Sequence, residues 1–93
     1  MWAIFERKGL QRTLAKMPLE IKKRYEKWKD IVRISGPAGL RSIKGFHDES
    51  LKGKWAAHRS SRLSDKYRVI YFEEEGSFIV KVIDVTAHDY RRK

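Results

Sequence analysis

Apolar positions recur at helical spacing in the first third of the chain and run together as strands in the last third. Ile21, Tyr25, Trp28 and Val32 fall at i, i+4, i+7 and i+11, which predicts one buried stripe on a long helix, with Lys22, Lys23, Lys27 and Lys29 largely off it. Leu10, Leu14 and Met17 predict a shorter helix before it. Pro18 suits the first turn of the longer one, where a missing amide proton costs nothing. Trp2 to Phe5 reads as a short strand ended by Glu6-Arg7-Lys8. Ser35-Gly36-Pro37 stops the long helix, and residues 36–54, with Gly36, Gly39, Gly45 and Gly53, read as a loop with at most a short helical turn. Three strands follow at Trp55 to Leu63, Tyr67 to Phe72 and Phe78 to Val85, parted by turns at Ser64-Asp65-Lys66 and Glu73-Glu74-Glu75-Gly76. The last is apolar on both faces apart from Lys81 and Asp84, as an interior strand should be.

These elements predict an α+β fold of order β-α-α-β-β-β. A two-helix hairpin covers one side of a sheet made of a C-terminal antiparallel meander and the N-terminal strand. Residues 1–93 are expected to form a single domain, since a chain of this length supports one modest core.

Charge changes the picture from fold to partner. The net charge is +10, with ten Lys/Arg against four Asp/Glu in residues 1–40, eight against three in 41–68, and four against five in 69–93. Such an excess points to a polyanion, with nucleic acid foremost. The absence of cysteine excludes disulfides, thiolate metal sites and cysteine nucleophiles. His47, His58 and His88 form no close pair, so neither a metal nor another cofactor is expected. No apolar run approaches the roughly 20 residues that span a bilayer, and the opening MWAIFERKGLQ lacks a long apolar region, so the expected location is cytoplasmic, away from membranes.

Candidate chemistry gathers after Leu51. Arg59 and Arg62, three apart on a strand, should face opposite sides, and Arg68 opens the next strand across the turn, where it can approach Arg62. Two guanidiniums there would clamp a phosphate and offset charge developing on its oxygens. The competing reading pairs each arginine with a carboxylate such as Asp65 or Glu49. His88 and Tyr90, two apart, leave the last strand on one face. An imidazole is the natural proton shuttle near neutral pH, and Arg68 or Arg91 would lower the phenol's pKa. Lys52 and Lys54 flank Gly53, where backbone can approach a ligand and the lysines supply point charge. Glu49 is the carboxylate positioned as a general base if its loop folds over the sheet, and Phe46 and Trp55 are aromatics that could stack on bases, with the core as the alternative place for Trp55. Residues alone thus indicate a small basic α/β protein with an Arg/His/Tyr cluster suited to RNA.

Leu51-Lys52-Gly53, the Arg-rich strand, Tyr67-Arg68-Val69-Ile70-Tyr71, the acidic turn and the terminal His88/Tyr90 element together resemble the RelE superfamily of bacterial toxins, HigB-like and YoeB-like members most closely. The resemblance covers nearly the whole chain. It implies a microbial-RNase-like fold and metal-independent cleavage of mRNA in the ribosomal A site, by attack of the 2′-OH on the adjacent phosphate. It also implies a cognate antitoxin as partner, with no DNA binding by the toxin alone. On it, Arg68 stabilises the phosphate, Arg62 assists, and Lys52, Lys54, Arg59, Arg91 and Arg92 hold RNA or ribosome. Two assignments of proton transfer stay open: His88 as base with Tyr90 as orienting group or acid, or Glu49 as base with His88 as acid. The rival class is a non-catalytic basic RNA- or ribosome-binding protein.

Overall fold

A computed structural model describes residues 1–88. Tyr90, Arg91 and Arg92, expected at the site, lie outside the described residues. The chain opens with β1 (Ala3–Glu6), followed by α1 (Leu10–Ala15) and α2 (Leu19–Ser35). The predicted stripe is the buried one: Ile21, Tyr25, Trp28 and Val32 are the buried residues of α2. Pro18 sits just ahead of the first turn, and Glu20 near the start and Arg33 near the end complement the helix dipole. Lys29 is the exception among the lysines, reaching Glu6 at 3.4 Å and Glu26 at 3.1 Å with only 12% of its side chain exposed.

Gly36 ends α2 with φ +71, and a Cβ there would lie 2.5 Å from the Trp2 indole. Close approach and backbone both demand glycine at this position. The stretch expected to be mostly loop is more ordered than its glycines suggest. Pro37, at a first-turn position, starts α3 (Pro37–Arg41), and a 3-10 turn at Lys44–Phe46, a two-residue strand β2 (Glu49–Ser50) and a second 3-10 turn at Gly53–Trp55 follow. The next strand is correspondingly shorter than predicted: β3 covers Arg59–Arg62 only. β4 (Arg68–Glu74) runs two residues into the acidic segment, so the hairpin turn falls at 75–78, with Gly76 at φ +79 and Phe78 at φ 54. β5 covers Ile79–Thr86.

The sheet has the order β1-β5-β4-β3-β2. β2 to β5 pair antiparallel in succession, and β1 joins parallel to β5, with Ala3 opposite Ile79 and Glu6 opposite Val82. β5 is thus interior, as its two apolar faces require. The β4–β5 register shifts between Ile70 and Tyr71: Ile70 pairs with Asp84 and Tyr71 with Val82, which leaves Ile83 as the extra residue of a bulge. The Ile83 carbonyl accepts a hydrogen bond from Arg7 Nε at 2.8 Å.

Helices lie against one face of this sheet. Leu10, Leu14 and the α2 stripe join Val69, Tyr71, Val80, Val82 and Val85 in one buried cluster. Trp28 is its hinge point, stacked on Tyr25 at 5.8 Å and edge-on to Tyr71 at 5.3 Å, so one indole ties helix to sheet.

Glu6 is the polar member of this helix–sheet contact, accepting from Tyr25 Oη at 2.6 Å and Gln11 at 2.6 Å. Burial opposes its charge, but these hydrogen bonds and the Lys29 ammonium outweigh it and hold its pKa below the ordinary carboxylate value. A pKa depressed in the folded state contributes stability above the unfolded value of about 4.3 and loses it as pH falls through the folded one. Glu6→Gln should therefore lower stability in urea at neutral pH, on the order of 1–2 kcal/mol. The gap from wild type should close on acidification through the folded-state pKa, and a gap that persists there would show that the Glu6 charge is not what stabilises this contact.

Candidate functional site

Strand alternation sorts the site residues onto two faces. Arg59 pairs with Tyr71 and Ser61 with Val69, on the helix-covered face; Ser60 pairs with Ile70 and Arg62 with Arg68, on the other. Glu49 pairs with Ser60, and Asp84 and Thr86 pair with Ile70 and Arg68, so all three belong to this second face too. The expected separation of Arg59 from Arg62 is the one observed.

On the helix side, Asp48 organises a largely buried polar cluster. Its carboxylate, with 0% side-chain exposure, accepts from Arg59 Nε at 2.6 Å, Ser61 Oγ at 2.6 Å and Tyr71 Oη at 2.5 Å. Burial works against the Arg59 charge, but the Asp48 hydrogen bond and attraction outweigh it and lift its pKa above the ordinary value. Burial and then the charge of Asp48 push the Tyr71 phenol strongly upward, so it remains a donor. The carboxylate for Arg59 is therefore Asp48, rather than Asp65 or Glu49. Asp48 escaped the sequence reading because its three partners lie 11 to 23 residues away. The only local signal was its position beside Glu49 with the opposite strand parity.

On the second face, Arg62 and Arg68 stand directly opposite each other across β3 and β4. Arg68 is only 7% exposed, and Arg62 Nε is buried with no hydrogen-bond partner. Among the described residues neither guanidinium is ion-paired, and neither Asp65 nor Glu49 reaches them. Like charges directly opposite on a sheet are destabilising, and a buried donor without an acceptor adds to the cost. Glu49, half-buried on β2, is the diagonal neighbour of Arg62 through the Glu49–Ser60 register. His88 follows β5 at the same end of the sheet. It is exposed, with its backbone amide donating to Thr86 Oγ1 at 2.9 Å.

Lys52 and Lys54 are exposed on a loop closed by the hydrogen bond from the Leu51 amide to the His58 carbonyl, at 2.9 Å. Gly53, at φ +68, starts the 3-10 turn between them. The loop leans on the second face through edge-on contacts of Trp55 with His58 and of His58 with Phe72, at 5.4 and 5.2 Å, and Lys54 lies 5.9 Å from the Trp55 ring. Trp55 is half-buried outside the main core. Phe46, read as a possible stacking residue, is fully buried beneath the Arg24 guanidinium, so no base can reach it. Among the described residues no three His, Asp or Glu side chains gather closely enough to hold a metal ion, and no helix is long and apolar enough to cross a membrane.

No family model and no curated protein matches the sequence. Solved structures do match. A YoeB/ParE toxin from Agrobacterium tumefaciens superposes with a TM-score of 0.75 at 17% identity, over 94% of this chain and 99% of that one. The fold is that of the RelE, ParE and YoeB toxins. A chain of the archaeal RelE–RelB complex from Pyrococcus horikoshii matches with a TM-score of 0.72 at 20% identity, covering 99% and 97% of the two chains. One from the YoeB–YefM complex of Staphylococcus aureus matches with 0.72 at 13% identity, covering 96% and 99%. The likeness is one of backbone path, and RelE and YoeB chains share it almost equally.

Within this toxin fold the Asp48 cluster carries a direct consequence. Asp48→Ala leaves the Arg59 guanidinium, the Ser61 hydroxyl and the Tyr71 phenol without their acceptor, and should cost about 3–5 kcal/mol. Tyr71→Phe, which removes one donor and keeps the ring, should cost about 1 kcal/mol. Urea unfolding measures both. Hydrogen exchange at the Leu51 amide should accelerate in Asp48→Ala as β2 loosens, and an unchanged rate would mean that β2 is held by something else.

Proposed function

We propose that the chain is the toxin of a type II toxin–antitoxin pair, a ribosome-dependent endoribonuclease that cleaves mRNA in the A site. The observation that carries this reading is the partly buried pair Arg62 and Arg68, two cations at directly opposed strand positions and neither ion-paired among the described residues. Such a pair is stable in company with an anion, and a phosphodiester is the anion that a fold of this kind and a net charge of +10 favour.

Cleavage then needs no group beyond the chain. Glu49 takes the 2′-OH proton, the 2′ oxygen bonds to the adjacent phosphorus, and the P–O5′ bond breaks. His88 supplies the proton for the departing 5′ oxygen, leaving a 2′,3′-cyclic phosphate and a 5′-hydroxyl end. Arg68 and Arg62 offset the charge that builds on the phosphorane oxygens. Glu49 is preferred as base because it lies on the same strand face as the arginines, while His88 stands at the exposed strand end, where a leaving group departs. Tyr90 acts with His88 as orienting group. Lys52 and Lys54, with Arg91 and Arg92, hold mRNA and ribosomal RNA by phosphate contacts that position without reading sequence. Relatives of this fold have been solved as RelE–RelB and YoeB–YefM complexes, and an acidic antitoxin that covers the basic face is the corresponding partner proposed for this chain. The Leu51-Lys52-Gly53 and Tyr67-Arg68 blocks favour the HigB-like or YoeB-like branch.

Mapping of 5′ ends in a purified translation system tests the chemistry. Arg68→Ala should lower cleavage about 100-fold or more with the fold retained, and EDTA should leave wild-type cleavage unchanged. Full activity in folded R68A would remove Arg68 from the reaction. Ribosome binding without any wild-type cuts would instead establish a non-catalytic basic module. The loop lysines make a separate prediction: Lys52→Ala with Lys54→Ala should weaken ribosome association and flatten its dependence on salt, whereas an unchanged slope would place the loop outside the binding surface.

A further inference from the structure

The end of the sheet that carries Arg62, Arg68 and Thr86 also carries a second basic feature, on its helix side. β1 runs parallel to β5 and so finishes at this same end, where Arg7 leads into α1. Here Arg7, Arg12, Thr13, Lys16, Met17 and Tyr67 line a cleft of about 570 Å³, with no carboxylate in its walls among the described residues. Arg7 is committed to the scaffold: its Nε donates to the Ile83 carbonyl at 2.8 Å, and its Nη2 lies 3.3 Å from Asp84. Arg12 and Lys16 are different. They stand four apart along α1 and its C-terminal cap, on one helix face, exposed and without an ion pair among the described residues. Met17 and Tyr67 are half-buried against the core and give the cleft an apolar floor.

We propose that this cleft is a second RNA subsite, which takes the strand flanking the scissile phosphate. Arg12 and Lys16 contact its phosphates, and a base packs on Tyr67 and Met17. The identity of the strand rests on the endoribonuclease reading. The geometry adds the path: Tyr67, packed against the helix-side core, immediately precedes Arg68, the first residue of β4, which belongs to the other face. A strand whose phosphate sits between Arg62 and Arg68 has only to round the strand end to enter the cleft. Alternating charge and apolar floor suit a polymer that alternates phosphate and base, where an acidic polypeptide would use the cations alone.

Binding of a short 2′-O-methyl oligouridylate, which cannot undergo 2′-OH attack, tests the subsite independently of catalysis. Fluorescence anisotropy across a salt series is run on the full chain, on Arg12→Gln with Lys16→Gln, and on Tyr67→Leu, with circular dichroism to confirm folding. The double variant should bind more weakly, with a log–log salt slope shallower by about 1.4, since each phosphate contact on a single strand contributes about 0.7. Tyr67→Leu should keep the slope and lose about 5-fold in affinity. An unchanged slope in the folded double variant overturns the proposal. So does an unchanged slope accompanied by lost binding of a polyglutamate peptide, which would assign the cleft to an acidic polypeptide. A flattened slope with no wild-type cuts on mapped mRNA would uphold the RNA subsite and refute the cleavage reading alone. Cuts that vanish in R68A, with an unchanged slope in the double variant, would do the reverse.

Discussion

One buried carboxylate holds the working half of the sheet in place. β2 is two residues long, with two pairing partners, and a strand that short does not maintain its own position. Asp48, immediately before it, accepts from three side chains on β3 and β4 and is wholly removed from water. Burying that charge carries a desolvation cost of several kcal/mol, which only near-complete hydrogen bonding offsets. The arrangement has three donors, one of them the Arg59 guanidinium, and so meets that condition. Because neighbouring residues alternate across a strand, fastening Asp48 on the helix side turns Glu49 to the other face. The position of the proposed base is thus inherited from a contact that serves stability.

The same division runs along β3 and β4. Arg59, Ser61, Val69 and Tyr71 face the helices and are packed or hydrogen-bonded, while Ser60, Arg62, Arg68 and Ile70 face away. The Arg62–Arg68 opposition is unfavourable in isolation and persists because the helix-side core overrides it. That core joins Trp28, Tyr25, Tyr71 and the strand valines in a single cluster, and each buried large side chain contributes about 1.5–3 kcal/mol. Removing a core side chain of the first face should accordingly be felt mainly in stability, whereas on the second face Ile70 and Ser60 are also buried and only the arginine pair is free of such a structural role.

How far the chain announces this depends on the range of the interaction. The α2 stripe was legible, since a helix declares itself through neighbours three and four apart, and the two long strands were legible from their apolar runs. The facing of Arg59 away from Arg62 also followed from alternation, and the pairing of Arg68 opposite Arg62 from the turn between their strands. Residues 36–58 were not legible. Their order comes from the Trp2 indole against Gly36, from Phe46 buried under Arg24, and from the Leu51–His58 closure. None of these leaves a periodic trace. Asp48 was hidden for the same reason, and Arg12, Lys16 and Tyr67 come together only because α1 folds back beside β5.

A charge of +10 says little about where a polyanion binds until the carboxylates are located. Glu26 is drawn to Lys29, Asp30 to Arg33, Glu74 to Lys81 and Asp48 to Arg59, while Glu6, at the end of β1, is engaged by Tyr25, Gln11 and Lys29. Asp84, near the strand end that holds Arg62 and Arg68, is engaged by Arg7, and Asp65 in the neighbouring turn pairs with neither arginine. Most of these acidic groups are thus taken up as structural partners, and among the described residues Arg62, Arg68, Arg12 and Lys16 are left without an ion pair around this end of the sheet. A binding surface made this way extends around an edge, which suits a flexible strand better than a flat, rigid duplex.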